Sequence, residues 1–239
     1  MNIAIIFAGG VGSRMHSGST PKQFLELHGK PIIIHTLDVF ENCAEIDATC
    51  IACHPDYLNY MRKLCNKFLV SKVRWIVPGG ATSQQSQFNA LDTVIKECPD
   101  DSIVLIHDGV RPNISAALIR SNIQSVLEHG SAISCAQATE TPAEINEAGK
   151  IVAVSPRENA VIAKAPQSFF LHEIYNAHLR AQQENRGDFI DSASMLRHYG
   201  KELYSVPCRW DNIKITNPSD FYIFRAILEA KENSQIFGL

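Results

Sequence analysis

Short apolar runs recur along the chain, and most are followed by a stretch in which apolar positions return every three or four residues. The runs at 3–7, 48–53, 73–77, 102–107 and 132–137 have strand length. The segments 31–41, 56–68, 84–96 and 115–129 have helical spacing, with Ser115 placed to cap the last of them. Strands this apolar, alternating with amphipathic helices, predict an α/β fold with a Rossmann-like, mostly parallel sheet and helices on both faces. The pattern loosens between about 139 and 170, where Glu140-Thr141-Pro142, Ala148-Gly149-Lys150 and Ser155-Pro156-Arg157 punctuate short β-like runs such as 150–154. That stretch predicts a β-arm leaving the sheet. Helical spacing returns at 172–184 and 192–199, and a late strand at 203–207 leads to a closing helix from about 219 to 231. No internal repeat or polar linker interrupts the order, so 1–239 is expected to form a single domain with an arm.

Composition narrows the function. The 22 basic and 25 acidic residues leave a net charge of −3, which argues against nucleic acid or an anionic membrane surface as the main partner. No apolar run approaches the ~18–20 residues that span a bilayer. The opening MNIAIIFAGG has no basic flank and turns directly into glycines, so a first strand is expected there instead of a signal peptide, and a cytoplasmic location with it. Seven cysteines are scattered at 43, 50, 53, 65, 98, 135 and 208. Cys50-Ile51-Ala52-Cys53-His54 spells a haem or redox motif, but in a strand positions three apart face opposite ways, and no second pair completes a zinc site. Buried, reduced thiols are expected.

Chemistry is expected beyond the carboxyl ends of the strands. After the first strand come Ala8-Gly9-Gly10-Val11-Gly12-Ser13-Arg14-Met15 and then Pro21-Lys22-Gln23. Glycines here let backbone N–H groups close on a phosphate chain, and Arg14 and Lys22 add positive charge. A dinucleotide fingerprint would need a third glycine and an acidic residue after the second strand, where this chain has Cys53-His54. A Walker loop would need Gly-Lys-Ser/Thr, which is missing. At the end of the fourth strand, in His107-Asp108-Gly109-Val110-Arg111-Pro112, Asp108 is a candidate ligand for Mg²⁺, with a helix-capping role as the alternative. In Asp211-Asn212-Ile213-Lys214 the carboxylate is a candidate second metal ligand, and the lysine a partner for a substrate phosphate; an ordinary polar turn is the alternative.

Taken together, these elements resemble the cytidylyltransferases that activate small sugar-alcohol phosphates, the family of the 2-C-methyl-D-erythritol 4-phosphate and ribitol-5-phosphate enzymes. The matching stretches are 7–15, 20–27, 79–91, 107–112, Pro166-Gln167-Ser168-Phe169 and 211–216. The resemblance implies a nucleotidyltransferase fold and a CTP site made by Ala8, Gly9, Gly10, Gly12, Gly80, Ser86 and Asp108, with Arg14, Lys22 and Lys214 as the catalytic cations. It implies Mg²⁺ held by Asp108 and Asp211, and an acceptor phosphate held by Thr141, Arg157 and Lys214. It also implies a homodimer, in which the arm reaches into the partner's site. The expected reaction is an in-line attack of a polyol phosphate on the α-phosphate of CTP, with pyrophosphate leaving and no covalent intermediate. Ala8-Gly9-Gly10, His107-Asp108-Gly109-Val110 and Glu140-Thr141, with the stretches 21–24 and 29–36, resemble the ribitol branch more than the isoprenoid one. D-ribitol 5-phosphate is therefore the expected acceptor, with CDP-ribitol as product. The alternatives are 2-C-methyl-D-erythritol 4-phosphate as acceptor and a non-catalytic nucleotide-binding relative. Ser83 and Ala165 stand where many relatives carry Arg and Thr. His107 is expected to be a packed strand-end residue, and Trp75 and Trp210 core or wall residues.

Overall fold

A computed structural model describes residues 1–10 and 20–237. In chain order the elements are β1 (Asn2–Ala8), β2 (Glu26–Leu27), β3 (Lys30–Pro31), α1 (Ile32–Glu41), β4 (Ala48–Cys53), α2 (Leu58–Lys67), β5 (Val73–Pro78) and α3 (Ser83–Val94). There follow β6 (Ile103–Asp108), α4 (Ala116–His129), β7 (Ser131–Gln137), β8 (Ala143–Ile145), β9 (Ile151–Val154) and β10 (Val161–Phe170). The chain closes with α5 (Leu171–Gln183), α6 (Ser192–His198), β11 (Ser205–Pro207) and α7 (Pro218–Phe237).

Seven strands form the main sheet in the order β11-β7-β10-β6-β1-β4-β5. β6, β1, β4 and β5 run parallel, and β11 runs parallel to β7 at the opposite edge. Alternation along β1 shows why the sheet is buried on both sides. Ala4, Ile6 and Ala8 join the core beneath α1, α2 and α4, whereas Ile3 and Ile5 join the core beneath α3, α5 and α6. Cys50 and Cys53 divide between the same two cores, and burial pushes their thiols up to about 12 and about 11. α4 begins as its sequence predicts, with Ser115 Oγ accepting from Leu118 N at 3.2 Å, and it ends at Gly130 with φ 81°. A smaller cluster packs Phe224 of α7 on Leu27, Ile32, Val110 and Ile215. Among the described residues, no helix is long and apolar enough to cross a membrane.

The arm is shorter than the expected 139–170. The last ten residues of that stretch are β10, which lies inside the main sheet, antiparallel to both β6 and β7. Pro166 conceals this strand in the sequence, because proline cannot donate to a ladder and is tolerated in sheets mainly at bulges. The register against β7 shifts between Ala163 and Gln167, and Pro166 sits in that shift. The arm proper is the β8–β9 hairpin, exposed along both strands, with Asn146 Oδ1 accepting from the amides of Ala148 and Lys150 in its turn.

Two buried histidines give the fold an acid limit. Among the described residues, His107 Nδ1 and His178 Nε2 have no hydrogen-bond partner, and burial pushes both rings down to about 4 from 6.5. Between those pH values the unfolded chain binds the protons and the folded chain does not, so stability falls as pH drops through this window. The loss is about 3 kcal/mol per ring once pH is below 4, at 1.36 kcal/mol per unit. Equilibrium unfolding in urea at pH 7 and pH 4.5 should show a clearly lower midpoint at the acid value, and an unchanged midpoint would contradict this account.

Candidate active site

β1 and β6 end side by side, with Phe7 in register with Asp108, and both strands deliver their next residues into one cleft. Ala8, Gly9 and Gly10 leave β1 there. Gln23, almost fully buried, donates from Nε2 to Ala8 O at 2.8 Å and anchors the start of the glycine turn. Gly12 and Arg14 lie outside the described residues. Two cavities open in the cleft. One, of about 280 Å³, is lined by Ala8, Gly9, Gly10, Lys22, Gly80 and Ser86 among others. The other, of about 220 Å³, is lined by Gln87, Arg111, Lys164, Gln167, Asp191 and Ser192 among others. Phe7, Ser83, Asp108 and Lys214 line both.

The first cavity owes its far wall to the start of α3. Thr82 caps that helix by accepting from Gln85 N at 3.1 Å. Ser86 Oγ accepts from Gly80 N at 3.0 Å and donates to Thr82 O at 2.9 Å, which folds 79–82 over the helix end. A Cβ on Gly80 would lie 2.1 Å from Gln85 Cγ, so the glycine allows this close turn.

Asp108 sits at the seam between the cavities. Its Oδ2 accepts from Arg111 Nε at 2.9 Å, and its Oδ1 pairs with Lys214 Nζ at 2.6 Å. Burial works against the charge, but Lys214 and Arg111 outweigh it and hold the carboxyl down at about 2. Gly109 allows the turn that follows. A Cβ there would stand 2.4 Å from Ile33 Cδ1 and 2.6 Å from Phe7 O, and its carbonyl accepts from Thr36 Oγ1 at 2.9 Å. His107 is fully buried against Phe40, with Nε2 3.1 Å from Arg111 O, a packed strand-end residue and not a base in the cleft.

Lys214 reaches Asp108 because the 210–214 segment is tied to β6 and β10. Arg111 Nη1 donates to Asn212 O at 2.8 Å, Lys164 Nζ donates to Trp210 O at 2.6 Å, and Asn212 Nδ2 donates to Ala165 O at 2.8 Å. Burial lowers the pKa of Lys164. Trp75 is buried as expected, but Trp210 is 63% exposed and belongs to no core.

The two expected metal carboxylates, Asp108 and Asp211, line different cavities. Arg209 forks Asp211, with Nε at 3.0 Å and Nη2 at 2.8 Å from Oδ2, and Asp211 lines a different cavity beside Asn113 and Lys231. Asp108 alone fits the chemistry of Mg²⁺, which takes one or two carboxylates and completes its shell with substrate phosphates and water. It is ionised, and it borders the glycine-lined cavity. Thr141 and Arg157 also stand apart. Neither lines the two cavities of its own chain, and Arg157 Nη1 donates to Thr139 O at 3.3 Å at the base of the arm.

Several cavity residues escaped sequence reasoning. Arg111 lies in the same motif as Asp108, and its guanidinium is a signal that could have been read. Gln87, Lys164 and Ser192 come from α3, β10 and α6 and meet only in the fold, whereas Gln167 lay in the matching stretch Pro166-Gln167-Ser168-Phe169 without a role assigned. Asp191 had a local signature, since Asp191-Ser192-Ala193-Ser194 closes a reciprocal cap on α6.

Comparisons with known proteins show the family of the chain. The sequence profile described as 2-C-methyl-D-erythritol 4-phosphate cytidylyltransferase matches residues 2–230. A ribitol-5-phosphate cytidylyltransferase of Streptococcus agalactiae serotype V is 48% identical over 239 residues, 100% of each chain. A 2-C-methyl-D-erythritol 4-phosphate cytidylyltransferase of Clostridium botulinum is 35% identical over 228 residues, covering 95% of this chain and 97% of its own. Among solved structures, the 4-diphosphocytidyl-2C-methyl-D-erythritol synthase of Anaerococcus prevotii superposes with a TM-score of 0.81 at 25% identity, over 95% of this chain and 96% of that one.

Proposed function

The chain belongs to the 2-C-methyl-D-erythritol 4-phosphate cytidylyltransferase family, and on that premise we propose that it transfers CMP from CTP to D-ribitol 5-phosphate, releasing pyrophosphate and CDP-ribitol. The observation that carries the choice of acceptor is the 48% identity, end to end, with a ribitol-5-phosphate enzyme. The 35% identity with a 2-C-methyl-D-erythritol 4-phosphate enzyme makes that polyol phosphate the second reading.

CTP lies in the glycine-lined cavity, its phosphates against the Ala8–Gly10 turn and Lys22. The acceptor lies in the second cavity, its phosphate toward Lys214 and Arg111. An oxygen of the acceptor phosphate attacks the α-phosphorus of CTP, and the bond from that phosphorus to the β-phosphate oxygen breaks in line. The nucleophile is already anionic near neutral pH, so no base is needed. Lys22 and Lys214, with Arg14 as the third expected cation, offset the repulsion between the two phosphates. Mg²⁺, with Asp108 as its protein carboxylate, supplies further neutralisation of the triphosphate when bound.

The same reading makes the protein a homodimer. Ile145, Ile151, Val152 and Val154 are exposed on the arm, and Val161 and Ile162 at its base, an apolar surface suited to a second copy of the chain. Seated there, the arm would bring Thr141 and Arg157 to the partner's acceptor phosphate. All seven cysteines are unpaired, which suits a reducing cytoplasm. The test is pyrophosphate release with CTP and Mg²⁺, with the two polyol phosphates offered in parallel. Turnover of ribitol 5-phosphate is expected. Turnover of 2-C-methyl-D-erythritol 4-phosphate alone would move the assignment to the second reading, and silence with both would overturn it.

A further inference from the structure

We propose that Gln87 and Ser192 form the wall that recognises the hydroxyls of the acceptor chain, and so set which polyol phosphate is used. This rests on the assignment of the second cavity to the acceptor. That cavity is polarised. Arg111, Lys164 and Lys214 supply cations around Asp108, whereas Gln87, Gln167 and Ser192 are neutral hydrogen-bonding groups around Asp191. A ligand suited to it has one anionic end and an uncharged remainder rich in hydroxyls. A phosphorylated acyclic polyol has that form.

Gln87 and Ser192 are built into the wall. They are 5% and 1% exposed, and they come from different elements, α3 and α6. Ser192 Oγ donates to Gln87 Oε1 at 2.9 Å. That bond uses the amide oxygen and leaves Nε2 of Gln87 with no hydrogen-bond partner among the described residues. It also leaves the Ser192 oxygen able to accept. Both residues line the cavity, so together they offer it one donor and one acceptor, the pair that a hydroxyl group satisfies.

The pair is held in place from behind. Gln167 Nε2 donates to Asp191 Oδ2 at 2.8 Å, and Gln167 Oε1 accepts from Ala193 N at 3.0 Å. Asp191 Oδ1 in turn accepts from Ser194 N at 2.8 Å. The start of α6, and Ser192 with it, is therefore clamped to β10. A polar site fixed in this way discriminates strongly against a ligand that leaves its groups unpaired.

Gln87→Met keeps the volume and removes the amide. It is expected to raise KM for the acceptor by about 10- to 100-fold, the effect of a missing hydroxyl contact in a prepared polar site, with KM for CTP changed by less than about twofold. Ser192→Ala is expected to act in the same direction. On glycerol 3-phosphate, which carries two hydroxyls fewer than ribitol 5-phosphate, the ratio of variant to wild-type kcat/KM should lie closer to one. A packing role would instead move KM for CTP and the melting temperature as well, and that pattern overturns the proposal. So does an unchanged acceptor KM in both variants. Wild-type rates on ribitol 5-phosphate and 2-C-methyl-D-erythritol 4-phosphate decide the acceptor separately, and the variant-to-wild-type ratio on whichever is used decides the wall. Silence of the wild type on every acceptor overturns both.

Discussion

Lys214→Ala should lower kcat for CMP transfer by about 10³-fold, with a smaller cost in melting temperature from the lost pair with Asp108. The side chain lines both cavities, so its ammonium faces the point where the two phosphates must meet. Two unit charges 4 Å apart interact by about 4 kcal/mol at an effective dielectric of 20, which corresponds to roughly three decades in rate. The loss is compounded at Asp108. With Lys214 gone, Arg111 is the one side-chain cation paired with its carboxylate among the described residues, and the site meets the incoming phosphate with one positive charge fewer. The lysine is 44% exposed at its side chain and supports little packing, so the fold should tolerate the change. Lys214→Arg keeps the charge and should recover part of the rate. Steady-state pyrophosphate release measures both variants, and a loss of less than tenfold in the alanine variant would remove Lys214 from the transition state.

Mixing two dead variants should restore activity. Arg157→Ala is expected to cost about 10²-fold or more through the acceptor phosphate, since an Arg–phosphate pair is a strong charge-assisted contact. If the arm serves the partner's cavity, a heterodimer of Arg157→Ala with Lys214→Ala contains one site with both residues intact and one with neither. Random reassociation at equal concentrations makes half the dimers mixed, so about a quarter of all sites should work. Activity after mixing, unfolding and refolding together gives the readout. Recovery to about a quarter of wild type supports the shared site, and no recovery places both residues on one chain.

The elements that were legible in the sequence are those whose surroundings are uniform. β1, β4, β6 and β7 are buried on both faces, so they read as unbroken apolar runs and stand within a residue of their expected bounds. β10 was hidden because its ten residues change surroundings midway. Its first three lie exposed at the base of the arm, Pro166 marks the break, and only 165–169 are buried. Asp108 and Lys214 were legible because each sits in a short motif at a strand end or beside one. Asp211 looked equivalent, but it lies in an irregular segment where spacing defines no face, and Arg209 two residues upstream takes its carboxylate. The Gln87–Ser192 contact spans 105 positions, and no local pattern could announce it.

The division of β10 bears on inheritance. Its exposed beginning adjoins the arm proposed to serve a partner, while Lys164 and Gln167 farther along line the chain's own cavity. In a dimer built this way, this one strand would bear on two reaction centres, residues 161–163 on the partner's through the arm and Gln167 on the chain's own through the clamp on α6. A change of acceptor preference would then be freer of side effects at α3 and α6 than along this strand.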